Sequence, residues 1–147
     1  MTTPATVLGF DYGASRIGVA VGQELTATAN PLTTLMNAAR GPDWDAIKRL
    51  IQEWRPRLLV VGLPRHADGS ANAVTAAVLG FRRALGERFQ LAVETVDEHL
   101  SSHEAERRFM EIHERRPRRA EVDALAAALI LESWFNLQQG QTPCSKT

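Results

Sequence analysis

The sequence predicts an α/β fold in which one mixed sheet carries helices on both faces. Two apolar runs, Val7–Gly13 and Arg16–Val21, flank a glycine turn and predict an antiparallel hairpin. After the hairpin, segments with helical spacing alternate with short apolar runs, which is typical of parallel strands joined by helices. Ligands of such sheets bind beyond the carboxyl ends of the strands. The functional residues are therefore expected at those ends.

The remaining elements follow in chain order. Residues 24–35 are predicted to be extended with a break at Pro31, and residues 37–42 to form a loop. The segments after this loop are predicted as a helix from about residue 44 to Pro56, a buried strand 58–61, a loop 62–70, a helix 74–85, a strand 91–96 that ends at Asp97-Glu98, a helix from Ser102 to about Ile112, and a helix from about Ala120 to Gln138 with Gly140 as its C-cap.

Length and composition limit the class of protein. With 147 residues and 44% hydrophobic residues, the chain is expected to form a single domain over 1–147, with flexible tails at 1–5 and 140–147. No apolar run is long enough for a membrane span, and the N-terminus shows no secretory pattern. Cys144 is the only cysteine, so neither an internal disulfide nor a cysteine metal cluster can form, and a reducing cytoplasm is expected. The formal net charge of zero does not indicate a strongly basic nucleic-acid binder.

Acidic residues stand at the predicted ends of several elements. Asp11 ends the first strand, Asp97 and Glu98 end the last strand, and Asp123 lies in the first turn of the final helix. Carboxylates brought together repel one another, and divalent cations relieve that repulsion. Hard oxygen ligands suit Mg²⁺ or Mn²⁺, and two such ions about 3.5–4 Å apart can promote phosphodiester hydrolysis.

Each acid also has a simpler interpretation. Asp11 and Asp97 could be turn residues that bond their own backbone, Glu98 could be solvated, and Asp123 could favour the helix N-terminus through the dipole. Taken singly, these interpretations are preferred. Taken together, acids at the ends of three predicted elements favour a metal site over these separate interpretations.

Arginine and histidine give weaker signals. The guanidinium group of Arg suits phosphate contacts. On charge alone, however, a solvated helix end and loop, partly balanced by Glu111 and Glu114, is slightly preferred for the run of six arginines: Arg107, Arg108, Arg115, Arg116, Arg118 and Arg119. His99 and His103 have the spacing of a ligand pair, but Ser101 between them is predicted to cap the helix. Surface or substrate contacts are therefore preferred for both histidines.

Four motifs in order resemble the YqgF (RuvX) family of bacterial pre-16S rRNA nucleases, also described as Holliday-junction-resolvase-like proteins. The resemblance covers about residues 6–138 and rests on Leu8–Gly13 with Arg16–Val21, Val60–Pro64 with Asp68-Gly69, Asp97–Ser101, and Val122–Ala127 with Ile130–Glu132.

The resemblance implies an RNase H-like fold, metal-dependent phosphodiester cleavage and trimming of the 5′ end of pre-16S rRNA in the cytoplasm. It implies that Asp11, Glu98 and Asp123 are the catalytic metal ligands, with Asp97 in a supporting role. Where the family often has Arg after the Asp-Glu pair, this chain has His99.

The expected partner is nucleic acid, pre-16S rRNA or branched DNA, with no membrane and a monomeric or homodimeric state. Arg16, Arg118 and Arg119 are candidates for holding the substrate backbone. The alternatives are a DNA-junction resolvase, a nucleic-acid-binding assembly factor with little catalysis, and a fragment of an actin-like ATPase. The last lacks the length for a second lobe.

Overall fold

The computed structural model describes most of the chain. The residues described are 5–39, 41–64, 73–98, 107, 110, 111, 113 and 118–141, with backbone alone at residues 64, 73, 74, 98, 119, 120 and 139–141. The elements are β1 (Thr6–Tyr12), β2 (Arg16–Gln23), β3 (Thr28–Ala38), β4 (Gly41–Pro42), α1 (Trp44–Trp54), β5 (Leu58–Pro64), α2 (Ala73–Phe89), β6 (Ala92–Glu98) and α3 (Arg119–Gln141).

The strands form one mixed sheet in the order β4-β3-β2-β1-β5-β6. The pairs β1–β2, β2–β3 and β3–β4 are antiparallel, whereas β5 runs parallel to both β1 and β6. The predicted hairpin is confirmed, with Asp11 opposite Gly18. The carboxyl ends of β1, β5 and β6 consequently lie at the same edge of the sheet.

Side chains alternate between two cores because successive residues of a strand face opposite sides. Leu8 and Phe10 of β1 are fully buried against α1 and α2, where Phe10 and Phe81 meet edge to face at 5.8 Å. Val7 faces the other side and packs with Leu131 of α3. The predicted mixed sheet with helices on both faces is therefore confirmed.

Local signals fix the ends of α1. The Asp43 side chain caps the helix by accepting a hydrogen bond from the Ala46 backbone N–H at 3.2 Å. At the other end Arg55 takes the left-handed conformation, with φ 47°, directly before Pro56. The predicted start and stop are both confirmed. None of the helices in the described residues is long and apolar enough to span a membrane.

The region from residue 24 to residue 42 differs from the prediction. A turn occupies residues 24–27, and β3 then continues through Pro31, because the pairing shifts between Val19 and Ala20 and leaves Leu32 as an extra residue. Pro31 is in register with Ala20 directly beside this bulge, and bulges are among the places in a sheet where proline is tolerated. The predicted loop 37–42 is also wrong in part, since its ends pair as β3 and β4.

Later boundaries differ less. Strand β5 extends to Pro64, into the predicted loop, while the rest of that loop lies outside the described residues. Helix α3 begins at Arg119, so the acid of its first turn is Glu121, and Asp123 lies just beyond that turn rather than in it as predicted. At its other end the helix runs through Gly140 to Gln141 rather than ending before the glycine. The helix predicted from Ser102 to about Ile112 falls mostly outside the described residues. Within it, Arg107 and Glu111 are described as helical, and their exposed side chains form an ion pair.

Candidate active site

Asp11 lies near the carboxyl end of β1, on the face that α3 covers. Its cross-strand partner is Gly18, and directly opposed residues of an antiparallel pair share a face. Tyr12, the next residue, points the other way and packs against Phe81, with the rings tilted by 38° and their centroids 4.8 Å apart. The strand therefore turns the Asp11 carboxylate towards α3.

Gly18 lets the first turns of α3 approach this point. A Cβ atom at position 18 would collide with the backbone carbonyl oxygen of Asp123, so only glycine fits. Gly9 and Gly22 continue the close approach, beneath the side chains of Leu131 and Phe135 respectively. The helix thus lies directly on β1 and β2, and its N-terminal turns bring Asp123 to Asp11.

The pKa of Asp11 shows that the two carboxylates interact. Burial, and in smaller part the negative charge of Asp123, raise the pKa of Asp11 from 3.8 to about 6. The two carboxylates therefore lie close enough for their negative charges to repel. Hard oxygen donors under mutual repulsion are a suitable donor set for a divalent cation.

Arg16 contacts the same site. Its Nε donates a hydrogen bond of 2.6 Å to Oδ2 of Asp123, and the two side chains are 31% and 21% exposed. A charge-assisted bond of this length is strong. The sequence suggested Arg16 as a substrate contact but did not predict its bond to Asp123.

Asn37 holds the turn between β1 and β2. The residue is 6% exposed, and its Nδ2 donates to the Gly13 carbonyl oxygen at 2.6 Å while its backbone N–H donates to the Ser15 carbonyl oxygen at 2.9 Å. The turn closes through a bond from the Gly13 N–H to the Arg16 carbonyl oxygen at 2.9 Å. Asn37 therefore fixes the segment between Asp11 and Arg16.

Sequence reasoning missed Asn37 because it placed this residue in a loop. A polar residue at that position carried no signal of its own. The close approach at Gly18 did have a signal, since a glycine inside an apolar strand commonly marks a neighbouring backbone.

Glu98 and Asp97 differ in what the structure describes. The backbone of Glu98 ends β6, in register with Pro64 and two residues beyond the buried Val96. The side chain of Glu98 is not among the described parts of the chain. Asp97 is exposed and lines a cavity of about 530 Å³ between β6 and α3, together with Ser133 and Asn136. Among the described side chains, no group of three or more His, Cys, Asp or Glu is placed to hold a metal ion. The structure thus brings two of the three predicted ligands together.

The other predicted contacts are described only in part. Arg118 is exposed, and its backbone N–H donates to the Glu121 side chain at 2.8 Å at the start of α3. For Arg119 the backbone alone is described, and His99, His103, Arg108, Arg115 and Arg116 lie outside the described residues.

Sequence comparison assigns the family. A family model described as RuvX, Holliday junction resolvase, matches residues 5–137. The chain belongs to the RuvX family. It is 48% identical over 136 residues to a protein of Nitrosococcus oceani, covering 92% of this chain and 90% of that one. It is 45% identical over 139 residues to a protein of Shewanella denitrificans, covering 94% and 99%. Both relatives carry the name "Putative pre-16S rRNA nuclease".

Solved structures show the same fold at low sequence identity. Thermus thermophilus RuvC in complex with a Holliday junction substrate matches with a TM-score of 0.57 and 19% identity, over 93% of this chain and 97% of that chain. The Fowlpox virus resolvase, also solved with junction DNA, matches with a TM-score of 0.55 and 8% identity, over 90% and 98%. The predicted RNase H-like fold and RuvX membership are confirmed, and the family is one of phosphodiester-hydrolysing nucleases.

Proposed function

We propose that this protein is a divalent-metal-dependent nuclease that trims the 5′ end of pre-16S rRNA, with Asp11, Asp123 and Glu98 as its metal ligands. The observation that carries the proposal is the pair of carboxylates, Asp11 and Asp123, which the fold holds together although their charges repel. The names of the curated relatives support the RNA substrate.

The donor set fits Mg²⁺ or Mn²⁺. Asp11 and Asp123 offer only oxygen atoms, which these ions prefer over softer ligands. Glu98 is proposed as the third ligand because β6 ends at the same sheet edge as β1. A bound cation would supply Lewis-acid stabilisation of the phosphate and an activated water.

The protein's own residues would orient the substrate. Burial of Asp11 against α3 fixes one carboxylate, and Gly18 fixes the backbone that carries the other. Arg16, whose side chain is partly exposed beside the pair, can contact a phosphate through its guanidinium N–H groups. Arg118 and Arg119, at the N-terminus of α3, are proposed to contact the RNA backbone.

One experiment tests the activity and the substrate together. A pre-16S rRNA fragment with its 5′ extension and a four-way DNA junction are offered side by side, each with Mg²⁺ and with Mn²⁺, and cuts are mapped. Asp11→Asn and Asp123→Asn should lose cleavage, while Glu87→Gln, at an exposed position on α2, should cut like the parent. Cleavage by Asp11→Asn at the parent's rate would refute the assignment of the site.

The same experiment addresses a second function. The description of the matching family, Holliday junction resolvase, favours branched DNA as an alternative substrate. Symmetric cuts in the junction with an intact rRNA precursor would select that alternative. Resolution of a junction would further require a stable dimer in solution, which sedimentation measures.

A further inference from the structure

The Arg16–Asp123 ion pair joins the first residue of β2 to the first turns of α3. Arg16 and Gly18 are two residues apart on one strand and so share the face that α3 covers. The contact therefore lies beside Asp11, which is opposite Gly18. The ion pair belongs to the same small region as the two carboxylates.

This ion pair changes the charge that a cation would meet. Two ionised carboxylates alone would carry a charge of −2, but the guanidinium, which stays protonated in proteins, reduces the total to −1. It also engages Oδ2 of Asp123 through Nε at 2.6 Å. A cation at this site must either share the Asp123 carboxylate with Arg16 or displace Arg16 from that carboxylate.

A phosphate group offers Arg16 a different partner. Guanidinium groups bind phosphate oxygens through two parallel N–H bonds, and the side chain here is 31% exposed, so it can be reached from solvent. A phosphate that takes the guanidinium leaves the Asp123 carboxylate available to a cation. Nucleic acid and cation would then each favour the binding of the other.

We propose that the Arg16–Asp123 ion pair keeps the substrate-free protein at low affinity for divalent cations, and that a nucleic-acid phosphate releases the Asp123 carboxylate by replacing it as the partner of Arg16. The proposal rests on the proposed function, in that Asp123 is a metal ligand. It makes Arg16 a positioning residue that couples the two binding events. The coupling must be reciprocal, because the two ligands share one thermodynamic cycle.

Two binding measurements test this coupling without any turnover. Calorimetric titration with Mn²⁺ alone gives the cation affinity, and fluorescence anisotropy of a labelled phosphorothioate RNA, in EDTA and in Mn²⁺, gives the nucleic-acid affinity. The variants are Arg16→Gln, Arg16→Lys and, as a matched loss of one arginine at an exposed position, Arg83→Gln. Circular dichroism verifies that each variant is folded.

Arg16→Gln is expected to bind Mn²⁺ roughly fivefold or more tightly than the parent, within the usual range of coupling between sites. It should also lose most of the increase in RNA affinity that Mn²⁺ produces in the parent. Arg16→Lys retains the positive charge and should keep the parent's weak cation binding. Arg83→Gln should match the parent in both measurements.

Equal or weaker Mn²⁺ binding by Arg16→Gln would overturn the proposal, since Arg16 would then support Asp123 as a ligand rather than compete with the cation. Asp123→Asn separates this failure from failure of the proposed function. If Asp123→Asn abolishes Mn²⁺ binding while Arg16→Gln does not strengthen it, only the coupling is wrong. If Asp123→Asn binds Mn²⁺ like the parent, the metal site itself is wrong, and the coupling with it.

Discussion

Replacing Asp11 with asparagine should stabilise the metal-free protein at neutral pH. The folded protein raises the pKa of Asp11 from 3.8 to about 6, so between these values the folded state binds more protons than the unfolded state. Stability therefore falls as the pH rises through this window. Above pH 6 the Asp11 carboxylate is mostly ionised in the folded state as well, and the unfavourable burial of its charge then lowers the free energy of unfolding by the full amount.

The magnitude follows from the pKa. At 1.36 kcal/mol for each pH unit, the change to about 6 corresponds to roughly 3 kcal/mol at pH 8. The neutral amide that Asp11→Asn introduces has a similar shape and avoids this cost. For a domain of this size, a gain of roughly 3 kcal/mol in the free energy of unfolding corresponds to a rise in Tm of roughly 6–12 °C.

The assay is thermal unfolding, followed by circular dichroism in a chelator at several pH values from 4 to 8. The difference between Asp11→Asn and the parent should be largest at pH 8 and should nearly vanish at pH 4. Addition of Mn²⁺ at pH 8 should raise the Tm of the parent and leave the variant almost unchanged, because binding to the folded state alone stabilises it.

Glu87→Gln is the control, because it removes one carboxylate whose side chain is 73% exposed. Its stability should stay within about 0.5 kcal/mol of the parent at every pH. A variant at Asp11 that is no more stable than the parent at pH 8, or a difference that does not shrink towards pH 4, would refute the burial and repulsion inferred for this carboxylate.

Two further substitutions test the supports of the site, and a third tests an ion pair at the opposite end of the β1–β2 hairpin. Gly18→Ala should destabilise the protein by about 1–3 kcal/mol and lower Mn²⁺ affinity, as measured by urea unfolding and calorimetry, because the added methyl group displaces α3. Asn37→Ala should cost about 1–3 kcal/mol by leaving the carbonyl of Gly13 without its donor, and it should reduce cleavage; unchanged unfolding would contradict that role. Glu24→Gln should cost at most about 1 kcal/mol, because its ion pair with Arg57 is partly exposed. That pair also lowers the pKa of Glu24 from 4.5, so its contribution should be lost as the pH falls from 4.5 through the lowered pKa, and it should shrink in high salt.

Much of the fold could be predicted because the signals were local. The hairpin, α1 and the buried strand β5 each follow from the spacing of apolar residues within one segment. The segment around Pro31 could not be predicted in the same way. Whether a proline breaks a strand depends on how that strand pairs with its neighbour, and here the extra residue Leu32 of β3 shifts the pairing with β2 directly beside Pro31.

From the order of residues alone one could infer that Asp11 lies near the end of a strand, that Asp123 lies near the start of a helix, and that the chain resembles one nuclease family. Tertiary packing places α3 directly on β2 at Gly18, where burial, and in smaller part the charge of Asp123, raise the pKa of Asp11. It also decided that Arg16 pairs with Asp123, across 107 positions of the chain. The physical reason is that spacing reports what one segment prefers, whereas repulsion, burial and ion pairing depend on distances between segments that only packing sets.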